Sequence, residues 1–259
     1  MVLGLRLAAA AAATTVMLAG GAGATTVTVF DGIADGRAAF DSTVNGAGGT
    51  VDNDVWTSVG SGTSVDRGDY VITRNNGGSI FTQSYGTMSG QVLSIDPFLN
   101  SGASEPATGG RADPLDYFDS GVTLTFDSAV NSVGFEVGDW ATCCHDPVTE
   151  LFISFDGGAP ILVASATTFS DGRFPSQSGS GNSVYEIFVA AFDDTGDFTT
   201  VSFWGNGLGE FLYFGGDVRY ALIDQGSLPP TNPVPLPAAG WMLIGGLAGL
   251  AGLRRRRKS

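Results

Sequence analysis

The run from Ala238 to Leu253 carries no charge, and Arg254, Arg255, Arg256, Arg257 and Lys258 follow it at once. As a helix rising about 1.5 Å per residue it spans about 24–27 Å, slightly less than a hydrocarbon core of about 30 Å. Snorkelling basic side chains or a thin bilayer absorb that mismatch, and the basic cluster stays cytoplasmic. The other end of the chain carries a matching constraint. Arg6 supplies a positive start, residues 7–18 are apolar, and Ala22-Gly23-Ala24 fits the small-residue cleavage rule. Residues 1–24 therefore read as a secretory signal, with the mature chain starting at Thr25. A retained N-terminal membrane helix is the alternative, though the apolar run is short for one. Whatever folds between the two ends folds outside the cytosol.

Ahead of the apolar run stand Val234, Pro235, Leu236, Pro237 and Ala238. A proline motif, a glycine- and leucine-rich helix and an arginine cluster, in that order, resemble the PEP-CTERM bacterial sorting signals, in the variant named for Val-Pro-Leu-Pro-Ala. The likeness covers residues 234–259. It implies an exosortase-type membrane protease as partner in a Gram-negative bacterium, and cleavage near the prolines. The ectodomain is first periplasmic on an inner-membrane anchor, then passes to the cell surface or extracellular matrix. An ordinary tail anchor is the competing reading, but it has no need of the proline motif. Residues 225–233 (Gln-Gly-Ser-Leu-Pro-Pro-Thr-Asn-Pro) form a stiff polar linker, because their prolines oppose helix and favour extended backbone.

The ectodomain, residues 25–224, is long enough for one sizeable core that buries about 70% of the unfolded surface. Six arginines (Arg37, Arg67, Arg74, Arg111, Arg173 and Arg219) face all 26 acidic residues of the chain, and there is no lysine before Lys258. Six minus 26 is a formal charge of −20 for residues 25–233. That charge argues against nucleic acid and anionic lipid as partners. It suits solubility, or cation-bridged contact with anionic polysaccharide.

Strand signals dominate this region. Residues 25–30, 122–126 and 133–137 alternate apolar with polar or small residues. Residues 151–155 and 161–165 flank Asp156-Gly-Gly-Ala-Pro160, a hairpin loop. Residues 184–192, 199–204 and 218–223 add three more strands. Residues 70–74, 79–83 and 91–95 are weaker candidates. Long helical periodicity is absent. Many short strands joined by glycine-rich turns predict an all-β, two-sheet antiparallel sandwich, jelly-roll or galactose-binding-like, plus one C-terminal transmembrane helix. Residues 113–224, through Asn131-Ser-Val-Gly-Phe-Glu-Val-Gly-Asp139 and Asp217-Val-Arg-Tyr-Ala-Leu-Ile-Asp224, also resemble the β-sandwich ectodomains of PEP-CTERM proteins. That likeness is diffuse and speaks to topology alone.

Candidate chemistry is sparse. Cys143 and Cys144 are adjacent and are the only cysteines. In an oxidising compartment they form a vicinal disulfide, pair between molecules, or remain thiols. Adjacent Cα atoms about 3.8 Å apart lie below the usual disulfide span, so a vicinal bond needs a distorted tight turn. With His145 and Asp146 they also form a run of metal-ligand residue types, but consecutive side chains diverge along an extended chain. Asp52-Asn-Asp54 and Asp193-Asp-Thr-Gly-Asp197 offer oxygen ligands for Ca²⁺, yet neither completes an EF-hand loop, and both are ordinary turn composition. No Gly-x-Ser-x-Gly elbow accompanies His145, the one histidine. No catalytic set emerges, and the expected role is non-enzymatic: structural, adhesive or polysaccharide-binding. The rival is a polysaccharide-active hydrolase with two carboxylates across a cleft, a pair that sequence cannot choose. Trp56, Trp140, Trp204 and Tyr213 suit either core packing or stacking on sugar rings.

Overall fold

A computed structural model describes residues 25–104, 113–142, 148–167, 186–206 and 211–229. The secretory signal, Cys143 to Asp146, the Val-Pro-Leu-Pro-Ala motif, the apolar run and the basic cluster lie outside the described residues. Among the described residues, no helix is long and apolar enough to cross a membrane.

The expected sandwich is there. In chain order the strands are β1 (Thr26–Phe30), β2 (Asp52–Val55), β3 (Ser64–Asp66), β4 (Tyr70–Arg74), β5 (Thr82–Gln83), β6 (Val92–Ile95), β7 (Val122–Val130), β8 (Ser132–Gly138), β9 (Thr149–Phe155), β10 (Ile161–Ala166), β11 (Ile187–Phe192), β12 (Phe198–Gly205) and β13 (Leu212–Ala221). One sheet runs β1-β11-β8-β13-β6-β5, with β2 also paired to β13; the second runs β10-β9-β12-β7-β4-β3. Every described pairing is antiparallel. Alternation explains the layers. Val133, Phe135 and Val137 of β8 point inward and join Phe203, Phe214, Leu124 and Ile153 in one core. Phe135 packs edge-on against Phe203, with ring centroids 5.1 Å apart. The Asp156–Gly157 hairpin is borne out: both residues have positive φ (48° and 69°), and the Gly158 amide donates to the Phe155 carbonyl at 2.8 Å.

Two features depart from the expectation. The first is a helix, α1 (Ile33–Gly46), where none was foreseen. Its buried stripe of Ile33, Gly36, Phe40 and Val44 lies on the outer face of the first sheet. The start has no side-chain cap, and glycine interrupts the stripe, so the usual helix signals are weak. Gly36 is required by close approach: a Cβ there would sit 2.4 Å from the Phe188 Cβ. The second is Asp52-Asn-Asp54, which is neither turn nor calcium loop. It is strand β2, because β13 supplies backbone partners and the interior supplies side-chain ones. The Asp54 carboxylate accepts from Arg67 Nε and Nη2 at 2.8 and 2.7 Å and from the Tyr70 hydroxyl at 2.7 Å, while Trp56 Nε1 donates to Tyr70. This clasp ties the first sheet to the second. Burial by itself would raise the Asp54 carboxyl, but the Arg67 and Tyr70 hydrogen bonds outweigh it and hold it below its ordinary value.

Beneath α1 lies a charged layer. Arg219 Nη1 donates to both oxygens of Asp41 (2.6 and 2.8 Å), and Nη2 donates to Asp217 at 3.0 Å. Arg37 Nη1 donates to Asp217 at 3.2 Å and to Ser89 Oγ at 3.0 Å, and it stands 3.7 Å from Glu136. Buried Asp217 and Glu136 are tolerable only because these arginines face them.

Both ends of the described domain leave from one pole. Thr25 Oγ1 donates to Asp193 at 3.1 Å; the amides of Gly226 and Leu228 donate to the Asp194 carbonyl and carboxylate at 2.7 and 3.0 Å. The first residues of the supposed linker are therefore docked on the sandwich, and Leu228 packs beside the cluster under α1. Asp193-Asp-Thr-Gly-Asp197 is a turn: Asp193 Oδ1 accepts from the Thr195 and Gly196 amides at 2.9 and 3.1 Å.

Candidate functional site

The opposite pole is built differently. β8 ends at Gly138 where β13 begins, and Tyr213 pairs with Gly138. Seven residues of β8 at about 3.3 Å each set this end about 20 Å from the chain exits. The segment between β5 and β6 folds back across the outer face here. Two buried acids hook it in place. Glu186 accepts from the Thr87 amide and hydroxyl, and Glu136 accepts from the Ser89 amide at 2.7 Å. Burial raises the Glu136 carboxyl above its ordinary value, against the opposing pull of Ser89 and Arg37.

The hooked segment delivers Tyr85, which stacks on Tyr213 with ring centroids 3.9 Å apart and planes at 21°. Both rings are partly exposed, and Ile33, Met88 and Val92 support them from below. Gly138 makes room: a Cβ there would lie 2.8 Å from the Tyr85 ring. The Tyr85 hydroxyl hydrogen-bonds Asp139. Burial raises the Asp139 carboxyl, partly offset by its bonds from Tyr85 and Thr142; burial and the nearby Asp139 carboxylate push the Tyr85 phenol up. Asp139 and Ala141 both adopt positive φ (60° and 58°) around buried Trp140. Two non-glycine residues in that region, so close together, store backbone strain.

The sequence candidates separate clearly on this frame. Trp56, Trp140 and Trp204 are core, as packing predicts, with Trp204 Nε1 donating to the Pro114 carbonyl at 2.8 Å. Tyr213 alone of the four presents itself at the surface. Tyr85, Asp139, Glu136 and Glu186 were not singled out by sequence. Glu136 sits in an alternating strand pattern that reads as solvent-facing, and Tyr85 lies in a loop between Ser84 and Gly86 with no motif. Among the described residues, no group of three or more His, Cys, Asp or Glu could hold a metal ion. In chemical terms the pole offers flat apolar faces beside hydrogen-bonding oxygen. Among the described residues, two acids at this pole have their carboxylates engaged as props, Asp139 with Tyr85 and Thr142, Glu186 with Thr87.

No protein-family profile matches the chain, and no curated protein matches it. Solved structures of a family 29 carbohydrate-binding module align over 70% of this chain and 99% of theirs. One mutant, complexed with mannohexaose, has 12% identity and a TM-score of 0.32; a second mutant has 13% and 0.30. At such scores neither a ligand nor a site passes from those proteins to this one.

Proposed function

We propose that this is an exported surface protein that binds extracellular polysaccharide without turning it over, through the Tyr85–Tyr213 pole. One observation carries the reading: a partly exposed tyrosine stack, backed by a buried carboxyl network, on the pole away from both chain exits. Aromatic faces stack on the apolar faces of sugar rings, and neighbouring oxygens bond ring hydroxyls. A domain held to the membrane only through the residues after Leu228 presents that pole outward. Engaged acids, rather than a facing pair with room for water between them, support a binder over a hydrolase. The Val-Pro-Leu-Pro-Ala tail and residues 239–253 would then serve delivery: a transient membrane helix, exosortase recognition near Pro235 and Pro237, and release to the surface or matrix.

The test is a glycan array probed with the full chain in detergent, followed by titration and a product assay on each hit. We expect saturable binding with no products, and a loss of about tenfold in affinity in Tyr213→Ala. Reducing-end release that depends on a single carboxylate would overturn the reading. For sorting, mass spectrometry of protein recovered from the native host should find a C-terminus near residues 234–238; an intact Ser259 on surface protein would refute it.

A further inference from the structure

Resting on that reading, we infer that the ligand is a neutral, extended β-linked hexose chain lying across the strands, with one ring on Tyr213 and another on Phe81. The register supplies the geometry. Tyr213 of β13 pairs with Ser94 of β6, and Leu93 pairs with Thr82 of β5; continuing that register one residue past the start of β5 puts Phe81 beside Ser94. Ile80 and Leu93 are buried in the core, so alternation turns Phe81 and Ser94 to the outer face that carries Tyr213. Phe81 is 69% exposed, the most exposed of the large apolar side chains among the described residues, though a phenylalanine there adds nothing to the core. Two strand spacings separate Tyr213 from Phe81, about 9.6 Å. That matches the length of a disaccharide unit in an extended chain, so alternate rings meet an aromatic face while Ser94 offers a hydroxyl between them.

Charge selects the polymer. The row Gly138, Tyr213, Ser94, Phe81 carries no carboxylate and no cationic side chain. Every described arginine is already engaged: Arg37 and Arg219 with Asp217, Arg67 with Asp54, and Arg74 with the carbonyls of Ser94 and Ser120. Arg37, Arg67 and Arg219 are paired with acids, and Arg74, bonded to neutral carbonyls, shares the inward parity of Tyr70 and Ile72 on its strand and so stands off the outer face; Asp139 and Glu186 at the edge of the row repel a uronate or sulfate. A neutral chain fits, and an anionic one does not.

The test titrates the full chain in detergent with cello- and manno-oligosaccharides of two, four and six units, and with a hexauronate. For the neutral series that binds, affinity should rise about fivefold or more from two units to four, as the second ring reaches Phe81. Phe81→Ala should erase that rise and leave the two-unit affinity and the melting temperature unchanged; Tyr213→Ala should weaken every length. A six-unit affinity unmoved by Phe81→Ala, or tighter binding of the hexauronate, would overturn this inference while leaving polysaccharide binding intact. Absence of binding by all three polymers, with the fold confirmed by an unchanged melt, would overturn the inference. If the array also showed no hit, it would overturn the broader reading as well.

Discussion

The two poles of the sandwich are made from the same strands and treat polar groups in opposite ways. At the exit pole, Asn131 donates to the Ile223 carbonyl at 2.9 Å and accepts from the Ile223 amide at 2.7 Å, taking the place of a missing strand partner. Asp193 collects hydrogen bonds from Thr25, Thr195 and Gly196, which outweigh its burial and hold its carboxyl below the ordinary value. At the far pole burial wins instead, and Asp139 and Glu136 are raised. Asp139 and Ala141, both at positive φ, and the partly exposed tyrosine stack stand there as well. One end is fastened by hydrogen bonds, and the other holds raised carboxyls beside a partly exposed aromatic pair.

The sharpest way to break this contrast is at the fastened end. Asn131→Ala leaves the Ile223 amide and carbonyl buried without partners, and should cost about 2–4 kcal/mol. Urea denaturation should show that loss, while sugar affinity of the folded fraction stays unchanged. At the far pole Gly138→Ala drives a methyl against the Tyr85 ring and should cost about 1–3 kcal/mol by overpacking. Unlike Asn131→Ala, it should also abolish binding, because the tyrosine pair cannot stack; retained affinity would detach the stack from function.

The acids sharpen the contrast further, since their linkage has opposite signs. A lowered carboxyl such as Asp193 stabilises the fold above its unfolded pKa of about 3.9, and that contribution is lost as pH falls through the folded value. A raised carboxyl such as Asp139 binds its proton more tightly when folded. Its contribution is fully present below about pH 3.9 and is lost as pH climbs through the raised value. Asp193→Asn should therefore flatten the acid limb of a melting-temperature profile, and Asp139→Asn should remove the decline on its higher-pH side. Identical profiles for the two variants would erase the distinction between poles. The smallest effect belongs to Thr25→Ala, about 0.5 kcal/mol for one part-exposed hydroxyl bond to Asp193.

Strands β7, β8 and β9 and the Asp156–Gly157 turn were legible because short-range alternation and turn chemistry are local. Helix α1 was not: Gly36 looks like a breaker until the Phe188 ring beneath it is known. Asp52-Asn-Asp54 reads as a turn until Arg67 and β13 arrive to pair it. Tyr213 was among the aromatics weighed for sugar stacking, but three buried tryptophans stood beside it on equal terms. Its partner Tyr85, and Phe81 across Ser94, stand more than a hundred residues before it in the chain, and only the tertiary fold brings them beside it.

Alternation and turn residues, properties of a few consecutive side chains, were enough by themselves to specify a two-sheet sandwich, and composition made it strongly acidic. Which carboxylates are buried, which aromatic rings reach the surface and which pole faces away from the chain exits were decided by tertiary structure. Those properties depend on contacts between distant segments, and no local pattern encodes the partner that arrives from elsewhere in the chain.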